Sequence, residues 1–163
     1  MPRQRPHGFT LVELVTVLAI VGLLTGVALP AFHDAVLHRQ LRLAAEALRA
    51  DLDRARLLAV ATDAPVTVIA GDGRRGWAGG WTAWQHGRAL KNLGHPALDT
   101  GLRTARRQAP SLHFDSLGAA NPPQTITFCV RRKPATAIKV VVSIAGRVRT
   151  STDDVQNAHD CAR

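Results

Sequence analysis

Glu13 is the residue in this 163-residue chain whose chemistry is hardest to satisfy. Nineteen residues without a charge, Leu14–Phe32, follow it, so its carboxylate sits at the mouth of an apolar run of membrane length. An acid at the centre of a membrane helix costs roughly 2.5–3.5 kcal/mol on insertion scales, and such a group marks a functional site by default. A carboxylate in hydrocarbon needs a cation, and no basic residue between Phe9 and Phe32 supplies one. The cation must come from elsewhere.

A second set of residues is cationic. Arg103, Arg106, Arg107, Arg131, Arg132, Lys133, Lys139, Arg147 and Arg149 stand in one stretch against a single acid, Asp115. A stripe of that sign is the electrostatic footprint of a phosphate-backbone binder. In Gly146-Arg147-Val148-Arg149, strand alternation puts both arginines on one face, where guanidinium forks can hold adjacent phosphates. The same charge also serves simpler ends: solubility, contact with acidic partner subunits, or proximity to anionic lipid headgroups. The formal net charge is +9, or +7 without Arg3 and Arg5. Few aromatics lie among the basic residues, which argues against base stacking.

These residues need elements to hold them. As a helix, Leu14–Phe32 covers about 28 Å, close to the hydrocarbon thickness of a bilayer. Arg3 and Arg5 precede it, so the short N-terminus stays cytoplasmic and the remainder lies outside. An ordinary secretory signal peptide is the rival reading, because Gly26-Val27-Ala28 offers a small-x-small cleavage site. Glu13, the length of the run and the helical period that continues past it all stand against that rival. Gly22, Gly26 and Pro30 weaken the helix locally.

Past Phe32, Leu37, Leu41, Ala44, Ala45, Leu48, Leu52, Ala55 and Ala59 recur at spacings of three and four. Charged residues fill the other face, with Arg49 and Asp53 one turn apart. Pro65 ends this helix. The period then falls to two. Val66 and Val68, Ile126–Val130, and Ile138, Val140, Val142 and Ile144 read as strands, with Ala145-Gly146 as a hairpin turn. The expectation is α+β: an antiparallel sheet packed on a long helix, with Trp77, Trp81, Trp84, Leu112 and Phe114 completing the core. His86–Pro110 shows no period and reads as a long irregular connection.

The short basic leader, Gly8, Phe9, Glu13 and Pro30 together resemble the N-terminal signature of type IV prepilins and pseudopilins. The resemblance implies cleavage by a prepilin peptidase between Gly8 and Phe9 and methylation of the new amine of Phe9. It also implies that Glu13 meets a neighbouring subunit's N-terminal amine within the membrane. Farther along, Ala55-Arg56, Gly80-Trp81, Leu112-His113-Phe114, Thr127-Phe128-Cys129 and Ser143–Arg149 follow in the order of the GspH/FimT family of minor pseudopilins. That family implies a leader at 1–8, a transmembrane segment at 9–32, an amphipathic continuation at 33–63 and a periplasmic β domain at 64–163. The chain would be a single-pass inner-membrane protein, near the filament tip, whose partners are other pilins or pseudopilins. Its role would lie in filament assembly or initiation, in protein secretion or pilus function. FimT-like members carry a Gly-Arg-x-Arg element implicated in DNA uptake. On that likeness Arg147 and Arg149, with Arg131, Arg132, Lys133 and Lys139, are candidate contacts to double-stranded DNA. One departure stands out: Gln85-His86-Gly87-Arg88 occupy the place where family members commonly carry an acid after Gly-Trp.

Cys129 and Cys161 are the only cysteines, an even count in a domain expected outside the cytoplasm, where disulfides persist. A bridge would tie the polar tail over the sheet; two free thiols are the alternative. Two cysteines do not complete a metal set, and His33 and His38 are five apart, off the spacing that places two ligands on one helix face. Gly71-Asp72-Gly73-Arg74-Arg75-Gly76 matches a dinucleotide-binding string but opens no helix and has no acid about twenty residues on. Nothing assembles a nucleophile, a base and an oxyanion donor. The chain reads as a non-enzyme without cofactor or metal.

Overall fold

The computed structural model describes residues 10–71, 75–105, 108–131, 133–152 and 161. Helix α1 runs over Leu11–Ala61 and continues through Pro30. The chain forms two compact units, one ending at Val36 and the other starting at Leu37.

The first unit contributes the N-terminal half of α1. Its apolar side chains are exposed on every side, with Leu11 at 78%, Leu23 at 75% and Phe32 at 71%. Mean hydropathy reaches 2.4 over eighteen residues, so the helix is long and apolar enough to cross a membrane. Its hydroxyls are satisfied internally: Thr16 Oγ1 donates to the Val12 carbonyl at 2.8 Å and Thr25 Oγ1 to that of Val21 at 2.9 Å. Such back-bonding removes the need for water around these side chains.

In the second unit α1 becomes one-sided. All eight stripe residues from Leu37 to Ala59 are buried. The helix ends as its sequence requires: Asp63 takes a positive φ of 47°, the Ala64 amide donates to the Ala59 carbonyl, and that of Asp63 to Val60. This is the Schellman pattern, with Asp at the left-handed position usually held by Gly.

Among the described residues nine strands follow: β1 Val66–Ala70, β2 Trp81–Gln85, β3 Arg88–His95, β4 Leu102–Thr104, β5 Ser111–Phe114, β6 Ala120–Asn121, β7 Gln124–Val130, β8 Lys133–Val142 and β9 Val148–Ser151. They form two antiparallel sheets where one was expected. One has the order β3-β2-β1-β5-β6 and the other β4-β7-β8-β9. The α+β class stands. A single cluster joins α1 to both sheets through Val66, Val68, Leu112, Phe114, Ile126, Phe128 and Val140. The Trp81 indole donates to Asp51 Oδ2 at 2.8 Å in the interior, fastening β2 to the helix.

Three expectations are corrected. His86–Pro110 is not irregular, because β3 and β4 lie within it. His86 and Gly87, with φ of 50° and 73°, make a two-residue hairpin turn between Gln85 and Arg88. Both central residues at positive φ mark the primed turn that suits strand twist. Strand β3 is an edge with little burial, so alternation left no trace in its sequence. Trp84 is 39% exposed, because it shares the outer face with its cross-strand partner Thr67. Ile144 is 71% exposed, because β8 ends at Val142 and Ile144 falls in the turn.

Cys129 and Cys161 form a disulfide with Cα atoms 6.1 Å apart. With Ala137 they make a second small buried cluster on the side of the β7–β8 ladder opposite Phe128. That is why Thr127 and Cys129 are buried as well as their alternating neighbours.

Two stability changes follow. Asp51→Ala strands the buried Trp81 N–H and should lower unfolding stability by about 1–3 kcal/mol, with Asp51→Asn losing less. Urea unfolding of the full chain in detergent, followed by tryptophan fluorescence, measures both. Replacing both cysteines by alanine opens a loop with a sequence separation of 32. In the chain-entropy model this should cost roughly 3–4 kcal/mol in the same assay.

Candidate functional site

The first candidate site is the N-terminal end of α1. Gly8 and Phe9 lie outside the described residues. Thr10 precedes the first helical residue, and its Oγ1 accepts the Glu13 amide at 3.2 Å. Thr10 is therefore the N-cap and Glu13 the third helical residue, the spacing of a capping box. Glu13 thus stands where the partial positive charge of the helix N-terminus favours an anion. Thr10-Leu11-Val12-Glu13 carries the threonine-x-x-glutamate signature in sequence, so Thr10 joins Glu13 as a site residue that charge alone does not mark. An acid at this position answers two requirements: it suits the helix start, and it keeps a negative charge available to a cation.

The second candidate is the outer face of the sheet β4-β7-β8-β9. On β8, Ile138, Val140 and Val142 turn inward, so Ala137, Lys139 and Val141 belong to the other face. The register pairs Lys139 with Ser151 and Val141 with Arg149. Val148 is buried, and the flanking Arg147 and Arg149 are exposed. Strand β9 is the edge of its sheet; by the register Arg149 and Lys139 share its outward face, and the exposed Arg147 stands just before the strand.

The turn that presents them is tightly built. Its ends are joined by Ser143 N–H to the Arg147 carbonyl at 3.0 Å and by the Arg147 amide to Ser143 Oγ at 3.1 Å. Gly146 has a φ of 73°, and a Cβ there would come within 1.9 Å of the Gly118 carbonyl oxygen. Only glycine fits. Arg56 of α1 donates through Nε to the same Gly118 carbonyl at 3.0 Å, and the Ala120 amide donates to the Ile144 carbonyl at 2.9 Å. The glycine of Gly-Arg-x-Arg is thus a packing requirement, and it fixes where Arg147 begins.

Among the described residues, Arg103 and Arg131 do not gather at this place. Arg103 lies opposite Cys129, and its guanidinium donates to the Cys161 carbonyl, so it holds the bridged tail. Arg131 is exposed in the β7–β8 turn, its amide bonded to the Gly101 carbonyl at 2.8 Å. That turn and the turn before Arg147 are at opposite ends of β8, whose ten residues span about 30 Å. Arg106, Arg107 and Arg132 lie outside the described residues, as does the side chain of Lys133. Among the described residues the stripe seen in sequence divides, with Arg147, Arg149 and Lys139 in one place and Arg103 and Arg131 elsewhere. Asp72–Arg74 also lie outside the described residues; the glycine-rich string that contains them leads into a 3-10 turn, Gly76–Gly79, and on into β2.

Known proteins place this architecture. A family model described as type II transport protein GspH matches residues 44–146, and a model of the prokaryotic N-terminal methylation motif matches residues 3–29. Fimbrial protein EcpC of Eikenella corrodens is 49% identical over 41 residues, 25% of this chain and 27% of that protein. The match therefore spans only about a quarter of that relative. The type IV minor pilin FimU of Pseudomonas aeruginosa superposes with a TM-score of 0.59 at 25% identity, over 69% of this chain and 89% of FimU. The minor pseudopilin EpsH from the type 2 secretion system of Vibrio cholerae shares the fold, with a TM-score of 0.57 at 18% identity over 69% and 97% of the two chains. With a 51-residue N-terminal helix, two antiparallel sheets closed on it and a family match across most of the β domain, the chain belongs to the GspH family and is a minor pilin or pseudopilin of a type IV filament system.

Proposed function

We propose that the chain is a single-pass inner-membrane subunit that enters its filament through α1 and contributes to assembly or initiation. Its N-terminus would be cytoplasmic and the β domain periplasmic. One observation carries this reading: the N-terminal half of α1 is apolar and exposed all round, with one acid at its start, inside a segment matching the methylation motif. Such a helix needs lipid or other helices on every side. Prepilin peptidase would cut between Gly8 and Phe9, and the methylated amine of Phe9 would become a cation. In a filament, that amine on one subunit and Glu13 on the next would satisfy each other in a medium of low dielectric constant. Glu13 is then an assembly residue, and the Thr10 cap holds it at the helix start.

A second reading is favoured by the outward surface of β9. Arg149 and Lys139 lie on one face at an open sheet edge with Arg147 just before it, which suits phosphates along a DNA backbone. The grouping excludes Arg131, at the far end of β8, from the same contact. We propose that DNA binding, if this subunit serves uptake, runs through Arg147 and Arg149.

Each reading has its test. Intact mass of the membrane-extracted protein should lack Met1–Gly8 and carry one added methyl group, and Glu13→Ala should be processed but absent from sheared filaments. Cleavage after Ala28, or none, would overturn the first reading. For the second, the full chain in detergent should bind duplex DNA with a steep salt dependence. Arg147→Ala with Arg149→Ala should lower the slope of log K against log salt by about two. Absence of binding at low salt, or an unchanged slope, would end that reading.

A further inference from the structure

A groove of about 660 Å³ opens in the second unit between α1 and β8. His38, Arg39 and Arg42 form one wall, and the threonines Thr136 and Thr152 stand on the other. Ile138 contributes to an apolar floor. No acid lines the groove among the described residues. Arg39 and Arg42 are exposed and have no ion-pair partner among those residues, unlike Arg49, which lies near Glu46 and Asp53.

We propose that this groove takes the phosphate-bearing headgroup of an anionic phospholipid. The inference rests on the membrane-anchored reading above. Arg39 follows Phe32, the last residue of the apolar run, by seven positions, about two helical turns. Basic side chains just beyond a membrane span attract anionic headgroups, and long arginine stems let the charge reach down to them. Thr136 and Ile138, which meet the groove, are the fourth and sixth residues of β8, and the exposed Arg131 belongs to the turn that begins that strand. The chemistry fits a lipid better than a duplex. Cations and hydroxyls converge on one compact concave place with apolar surface beneath, matching a phosphate joined to a glycerol ester. A nucleic-acid backbone needs a track of charge, and among the described residues this groove is not continuous with the other basic group. Arg42 and Arg56 are fourteen residues apart on α1, about 21 Å, and Arg56 contacts the turn that presents Arg147.

The test uses the full chain in phosphocholine-detergent micelles, titrated with water-soluble short-chain phosphatidylglycerol and followed by amide NMR shifts. Saturable shifts should appear at Thr136, Ile138 and Thr152, and short-chain phosphatidylcholine should not produce them. Arg39→Gln with Arg42→Gln should raise the apparent Kd roughly thirtyfold, the effect of two arginines near an anionic surface. The same charge removed as Arg147→Gln with Arg149→Gln should leave it unchanged. All four arginines are exposed, so neither variant threatens folding. Absence of saturation, equal response to both lipids, or equal saturation by inorganic phosphate alone would overturn the proposal. Shifts at this groove from duplex DNA but not from phosphatidylglycerol would do so too. So would lipid binding seen only with Asp153→Asn and Asp154→Asn, since the groove's occupant would then be the tail's own acids. Alkaline extraction of the same protein from membranes separates the two claims: release denies the span, whereas retention without lipid preference denies only the groove.

Discussion

The buried stripe of α1 from Leu37 to Ala59 is the constraint on which the β domain depends. Two sheets close on it, and one core cluster runs through all three elements. Small residues alternate with leucines along the stripe: Ala44, Ala45, Ala55 and Ala59 leave room where Leu41, Leu48 and Leu52 project. Burial of a leucine-sized side chain contributes on the order of 1.5–3 kcal/mol, so this seam outweighs any single polar contact. The Asp51–Trp81 hydrogen bond adds direction to an otherwise non-directional packing, because it sets one indole of β2 against one turn of the helix. The same helix meets the opposite requirement before Leu37, where its apolar side chains are exposed all round.

Much of this architecture was legible in the residues, for physical reasons. Spacing by three and four marks the buried stripe because one helix face meets the core. Alternation marks β7 and β8 because one face of each is inward. The segment from His86 to Pro110 was illegible because β3 is an edge strand with few buried side chains and its hairpin turn uses His86-Gly87 in place of the commoner Asn-Gly. Trp84 was misplaced because aromatic character alone does not say which face of a strand is inward. The division into two sheets left no mark in sequence, since it depends on where β1 pairs with β5 and β4 with β7 across long separations. At the candidate sites, Thr10 had a readable signature, whereas the groove at His38–Arg42 had none. It exists only once β8 packs beside the helix.

Charge is the property most changed by seeing the fold. A run of basic residues in sequence implies one continuous cationic surface. The strands instead carry Arg147 and Arg149 to one end of β8 and Arg131 to the other, and Arg103 holds the bridged tail. The domain therefore carries its described cations in separate places. A single chain can in this way keep a contact with lipid and a contact with a polyanion or acidic subunit without one excluding the other.

On the proposed function, Glu13 meets another subunit of the filament within the membrane. A photo-crosslinking amino acid at Val12, in cells that retain the rest of the filament system, tests this directly. A crosslink to another pilin-like subunit is expected, and it should disappear when Glu13 is replaced by alanine. A crosslink that survives the Glu13→Ala change, or one to lipid alone, would contradict it.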